Sequence, residues 1–106
     1  MSSDTAPAPD APDAADAAEA IASATLAVAG VSALHAGIVG EVATYLPGRR
    51  VNGVRLGDDS CELHIVLDWG SPVVETADAV RAAIEPLVDG PVHVTVEDVA
   101  GPGDTP

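Results

Sequence analysis

Between Val92 and Val99 the chain reads VHVTVEDV, with valine at alternate places and His93, Thr95 and Glu97 between. That alternation puts valine on one face of a strand and polar groups on the other. A longer period governs the preceding segment, SPVVETADAVRAAIEPLVDG. There Val73, Ala77, Val80, Ile84 and Leu87 fall at i, i+4, i+7, i+11 and i+14, the stripe of an amphipathic helix. Ser71 is placed to cap this helix and Pro72 to occupy its first position. Pro86 removes a backbone donor from the last turn, and Gly90 with Pro91 stops it.

Further upstream, VNGVRL and CELHIVLD are two β-rich runs separated by GDDS, a hairpin signal built from turn formers. With Asp58 and Asp59 at the tip, Val54 faces Leu63 and Asn52 faces Ile65 on one side. On the other, Arg55 faces Glu62 and Val51 faces Val66. Ala14–Ala29 is alanine-rich, with Asp16 and Glu19 in the first turns and Ile21, Thr25 and Val28 near helical spacing. Gly30 follows as a C′ residue, so a first helix is expected there. Between the two regions VSALHAG reads as a short strand and GIVG as a bend. EVATYL reads as a second extended piece or a single helical turn before Pro47-Gly48.

These elements predict an α+β domain: two helices packed on one face of a small three- to four-stranded mixed sheet, in the order α-β-β-β-α-β. The last strand is reached by a crossover through the second helix, which makes it parallel to CELHIVLD. By parity the sheet's other face shows Arg55, Glu62, His64, Val66, His93, Thr95 and Glu97. The domain spans residues 15–99. Residues 1–14 hold Pro, Ala, Ser and Asp with no apolar period, so ordering them would bury nothing against the entropy lost, and a disordered acidic tail is expected. Residues 100–106 are expected to be a flexible C-terminal tail.

Charge narrows the function classes. Seventeen Asp and Glu stand against four basic residues, for a formal net charge of −13. A nucleic-acid backbone or an anionic membrane would repel such a chain. The core must be Val, Leu, Ile and Ala, since Phe is absent and Trp69 and Tyr45 are the only aromatics. Ala20–Gly40 runs 21 residues without an ionised Asp, Glu, Lys or Arg, long enough to cross a bilayer. Its seven Ile, Leu and Val residues are opposed by Ser, Thr, His and three Gly, and acidic Glu19 and Glu41 flank it, so a soluble helix followed by a strand is expected instead. The acidic N-terminus lacks the basic region of a secretory signal, and the single Cys61 excludes an internal disulfide. A cytoplasmic location is expected.

Candidate chemistry is sparse, and neither a cofactor nor a catalytic or metal-binding residue is assigned. Cys61 and His64 are spaced C-x-x-H, but on a strand that offset places them on opposite faces. His64, His93, Glu62 and Glu97 could converge as metal ligands, yet none of their spacings is a recognised one. His35, in apolar surroundings, reads as a hydrogen-bonded structural histidine. Gly37-Ile38-Val39-Gly40 matches the GxxG with which KH domains clamp a nucleic-acid backbone, but hydrophobic residues fill it and Glu41 adjoins it. A KH-like or other small nucleic-acid-binding domain and a small metal-dependent enzyme stay as alternatives.

Three stretches carry a resemblance: VAGVSALHAG, then EVATYLPGRRVNGVRL, then ELHIVLDWGSPVVETADAVRAAIEPLVDGPVHVTVEDV. Together they resemble the alkaline-shock-protein family of Gram-positive bacteria, also called the envelope stress response or general-stress family, and in particular its short actinobacterial members. The likeness covers about residues 20–99 and rests on glycine, proline and valine patterns rather than a catalytic signature. Trp69 stands where members often have Tyr, and this chain has no lysine. The resemblance implies a non-enzymatic cytoplasmic protein that self-associates and is held at the membrane by a small anchoring protein, supporting the envelope under stress. Partner-binding candidates are Arg49, Arg50, Arg55, His64 and His93. Arg55 has an acid opposite it, whereas Arg49 and Arg50 follow a Pro-Gly turn with no local acid. They form a cationic spot able to receive an acidic edge of another copy or an anchor, unless acids of their own chain take them.

Overall fold

A computed structural model describes residues 14–57 and 59–101, with the backbone alone for Ala14, Ala15 and Arg49. The expected tails, apart from Ala14, Ala100 and Gly101, lie outside the described residues, as does Asp58 at the hairpin tip. The chain forms α1 (Ala14–Leu26), β1 (Val31–Leu34), β2 (Ala43–Leu46), β3 (Arg49–Asn52), β4 (Val54–Leu56), β5 (Cys61–Leu67), α2 (Val73–Ile84), a 3-10 turn (Glu85–Leu87) and β6 (Val92–Val99). This is the expected α+β class, with both helices on one face of a four-stranded mixed sheet and a small two-stranded sheet beside it. No helix among the described residues is long and apolar enough to cross a membrane.

Strand β5 is the axis of the fold. Its residues 61, 63, 65 and 67 are Cys, Leu, Ile and Leu, and all four are fully buried against the helices. The apolar period of two on this strand meets Ala18 and Ile21 of α1 and Val80 and Ile84 of α2 in one core. Along one edge of β5 runs β6, parallel, with Cys61 level with Val92 and Ile65 level with Val96. The register slips between Ile65 and Val66, so that Val66 pairs with Asp98 and Glu97 becomes the extra residue of a bulge. The parallel pairing is the one expected from the crossover.

Two short strands share the other edge of β5. β1 pairs antiparallel with residues 65–67, and β4 pairs antiparallel with residues 61–63. Between them, at His64, the backbone bonds split: His35 N donates to His64 O at 2.9 Å, and His64 N donates to Gly53 O at 3.0 Å. The chain thus leaves the sheet after His35 and returns at Gly53. The excursion between holds the β2–β3 hairpin, closed by Pro47 and by Gly48 with φ +78°, a pair that suits a type II turn.

Four expectations need correction. Val54 opposite Leu63 and Arg55 opposite Glu62 hold, but Asn52 pairs with Ala43 rather than Ile65, and Val51 with Thr44 rather than Val66. The cause is Gly53, whose φ of +81° turns the chain out of line. Ser71 does not cap α2; its hydroxyl lies 3.5 Å from Gly30 O, and Pro72 is the cap residue. The stripe of α2 is also rotated: Thr76, Val80 and Ile84 are buried, while Val73 and Leu87 stay exposed. Finally, α1 ends at Leu26, three residues before the expected Ala29, and the chain turns through Gly30 at φ +95°.

Candidate functional site

The open face of the sheet carries a ladder of charges that follows from strand parity. Arg55 on β4 stands opposite Glu62 on β5, and its Nη2 lies 3.2 Å from Glu62 Oε1. The other carboxylate oxygen, Glu62 Oε2, lies 2.7 Å from His64 Nε2, two residues along the same face. His64 Nδ1 bonds in turn to Glu97 Oε2 on β6. Glu97 lies on the open face by the alternation of β6, and it is also the extra residue of the bulge after Ile65. His93 sits level with Glu62 on the outer strand.

A histidine whose two ring nitrogens both face carboxylates is doubly donating only as imidazolium. Burial pushes the His64 imidazole below its usual value. The hydrogen bonds to Glu97 and Glu62, with their charges, outweigh that and raise it. Glu62 is correspondingly lowered, first by the His64 hydrogen bond and then, against its own desolvation, by the charges of Arg55, His64 and His93. The site's ionisable groups therefore neutralise one another. Such a row can orient a partner's charges along a sheet face.

Cys61 lies on the opposite side of β5 from His64, as the three-residue offset required. Burial, then the nearby Glu62 charge, pushes its thiol up to about 11. It behaves as a core residue. His35 is structural too: its Nδ1 accepts from Gly37 N at 2.9 Å and fixes the start of the excursion. Among the described residues no group of three or more His, Cys, Asp or Glu is placed to hold a metal.

The five residues marked from sequence as partner contacts thus separate into two places. Arg55, His64 and His93 share the open face, linked through Glu62. Arg50 is elsewhere, exposed on β3 opposite Tyr45, and makes no ion pair among the described residues. The Arg49 side chain lies outside the described residues.

The bend expected at GIVG is present, but the sequence reading missed the exposure of its tip and a hollow elsewhere. In the GIVG bend, Gly40 N donates to Gly37 O at 3.2 Å, closing a turn with Ile38 and Val39 at its tip, 91% and 82% exposed. The available signal was the two flanking glycines, Gly37 and Gly40, which the structure holds at φ +89° and +76°. Tyr45, also exposed, lies on the same excursion. The second feature is an open hollow of about 460 Å³ lined by Gly30, Trp69, Ser71, Pro72, Glu75 and Thr76 among others, with the Trp69 indole 65% exposed at its side. It is shallow, and no buried polar side chain is left unpaired among the described residues.

No family model, curated protein or solved structure matches the chain.

Proposed function

We propose that this chain is a non-enzymatic protein-recognition module, which self-associates and docks to a membrane-anchoring partner at the cytoplasmic face of the cell envelope as part of a stress response. The envelope and stress parts of that reading come from the motif resemblance. The recognition part has its own support in the excursion between His35 and Gly53. There a chain of net charge −13 gathers Arg50, and by sequence Arg49, with exposed Ile38, Val39 and Tyr45. That single observation carries the reading. Tyr45 stands opposite Arg50 on the hairpin, and Tyr and Arg are the residue types enriched at protein interfaces, where acids are depleted.

The acidity of the rest of the molecule gives the excursion a role in orientation. Complementary charge steers and fixes register more than it adds affinity, so one cationic region on an anionic body selects one mode of approach. An acidic edge, on the anchor or on another copy, is the expected counterpart. Replacing Ile38, Val39 and Arg50 together by Ser changes no buried residue, and the variant should keep the wild-type circular dichroism. Membrane fractions from cells expressing each form provide the comparison. The wild-type chain should sediment with membranes only when the anchor is present, and the variant should remain in the supernatant. Equal partition of both forms would remove the excursion from the mechanism, and measurable turnover of any substrate by the open-face residues would remove the non-enzymatic reading.

A further inference from the structure

Strand β6 is eight residues long and pairs with β5 on one side only among the described residues. In a parallel pairing both backbone groups of a residue point to the same side, and the side alternates along the strand. Pro91 O accepts from Cys61 N and Ala100 N donates to Leu67 O, so those two residues point inward. Val92, Val94 and Val96 then point outward, ahead of the bulge. One group at each end of the outward row is already engaged: Arg81 Nε lies 3.3 Å from Val92 O, and Asp98 Oδ1 accepts from Val99 N at 2.8 Å. Between them runs a short central row, the N–H and C=O of Val94 and Val96. Four such backbone groups along an unpaired edge are a template for another strand.

We propose that the partner of this edge is a second copy of the same chain, paired antiparallel through β6 about a two-fold axis at Thr95. The pairing is self-complementary. Val94 meets the partner's Val96 as a hydrogen-bonded pair, the reciprocal pair forms by symmetry, and all four outward groups are satisfied. The same register sets His93 beside the partner's Glu97, on the open face and in a non-hydrogen-bonded pair where side chains approach most closely. Imidazole faces carboxylate at both ends, while the small, exposed Thr95 meets its own copy at the axis. Shifting the register by one residue would turn inward-pointing groups toward the partner, and shifting it by two would place Val96 against itself and lose the His93–Glu97 match. The two four-stranded sheets become one continuous sheet with all helices on one side and an uninterrupted polar face on the other. This gives the self-association proposed above a surface and rests on that reading.

An edge pairing this short makes a weak dimer, so sedimentation runs should extend to about 1 mM protein. Two variants test the register. Thr95→Lys puts like charges against each other at the axis on an exposed side chain and is expected to raise the dimer dissociation constant at least tenfold, with circular dichroism unchanged. Thr95→Cys places two thiols about 4.5 Å apart at Cα, within disulfide range, and mild oxidation should yield a covalent dimer; Ala20→Cys, on exposed α1, should not. If the wild-type chain assembles while Thr95→Lys assembles equally and Thr95→Cys fails to cross-link, the β6 edge is overturned and self-association must use another surface. A wild-type chain that stays monomeric to 1 mM overturns both the edge and the self-association itself.

Discussion

Adding one methyl group at Gly53 tests the break in the sheet. A Cβ there would lie 2.8 Å from Leu34 Cβ, 2.9 Å from His35 N and 3.0 Å from His64 O. Two of those atoms are backbone, held in the bonds that let β1 and β4 meet end to end, so they cannot rotate away. Gly70 is the internal control, with a nearly equal φ of +85° and nothing within 4 Å of its added Cβ. Both substitutions force a non-glycine residue into the left-handed region at about 1–2 kcal/mol. Both recover about 0.4–1 kcal/mol from the stiffer unfolded chain. Only Gly53→Ala adds overpacking, about 1–3 kcal/mol. Gly53→Ala should therefore be the less stable variant by roughly 1–3 kcal/mol, with each kcal/mol moving the melting temperature by about 4–8 °C at this domain size. Far-ultraviolet circular dichroism in urea is the assay of choice, because the exposed Trp69 indole changes its surroundings little on unfolding. Equal midpoints for the two variants would refute the abutting-strand geometry.

Two further outcomes follow from the open face and the core. His64 is raised in the folded state, so its contribution is full below its unfolded value of 6.5 and is lost as pH climbs through the folded value; Glu62 is lowered, so its contribution is present above 4.5 and is lost as pH falls. Urea midpoints should peak between those limits, and His64→Gln should abolish the decline on the alkaline side; an unchanged decline would place its origin elsewhere. Cys61 is fully buried with its thiol raised to about 11, so a chromogenic disulfide reagent at pH 8 should modify it only after urea unfolding, and rapid labelling of the native chain would contradict its place in the core.

How much of this was legible in the sequence depends on what each residue's neighbours decide. Arg55 opposite Glu62 was readable because GDDS fixes a hairpin and β alternation propagates from it. The same alternation misled at Val51 and Asn52, since their pattern runs unbroken through a glycine whose φ, rather than whose hydrophobicity, redirects the chain. An isolated glycine within a strand pattern is the warning sign. The same parity placed Glu62, His64 and Glu97 on one face, where they meet, but valine alternation does not announce the one-residue bulge at Glu97. In α2 the stripe gave the helix but not its rotation: Thr76 is buried where the helix meets the turn after β5, and Val73 is not. Ile38 and Val39 show the limit of reading apolar residues as core, because two flanking glycines turn the backbone and leave both side chains outside.

On the function proposed above, a surface of this domain acts at the envelope through a partner. Fluorescence imaging of the tagged chain in cells with and without the anchoring protein addresses it most directly. A rim at the cell boundary that becomes diffuse when the anchor is deleted is the outcome expected from the account. Uniform cytoplasmic fluorescence in both strains would contradict it.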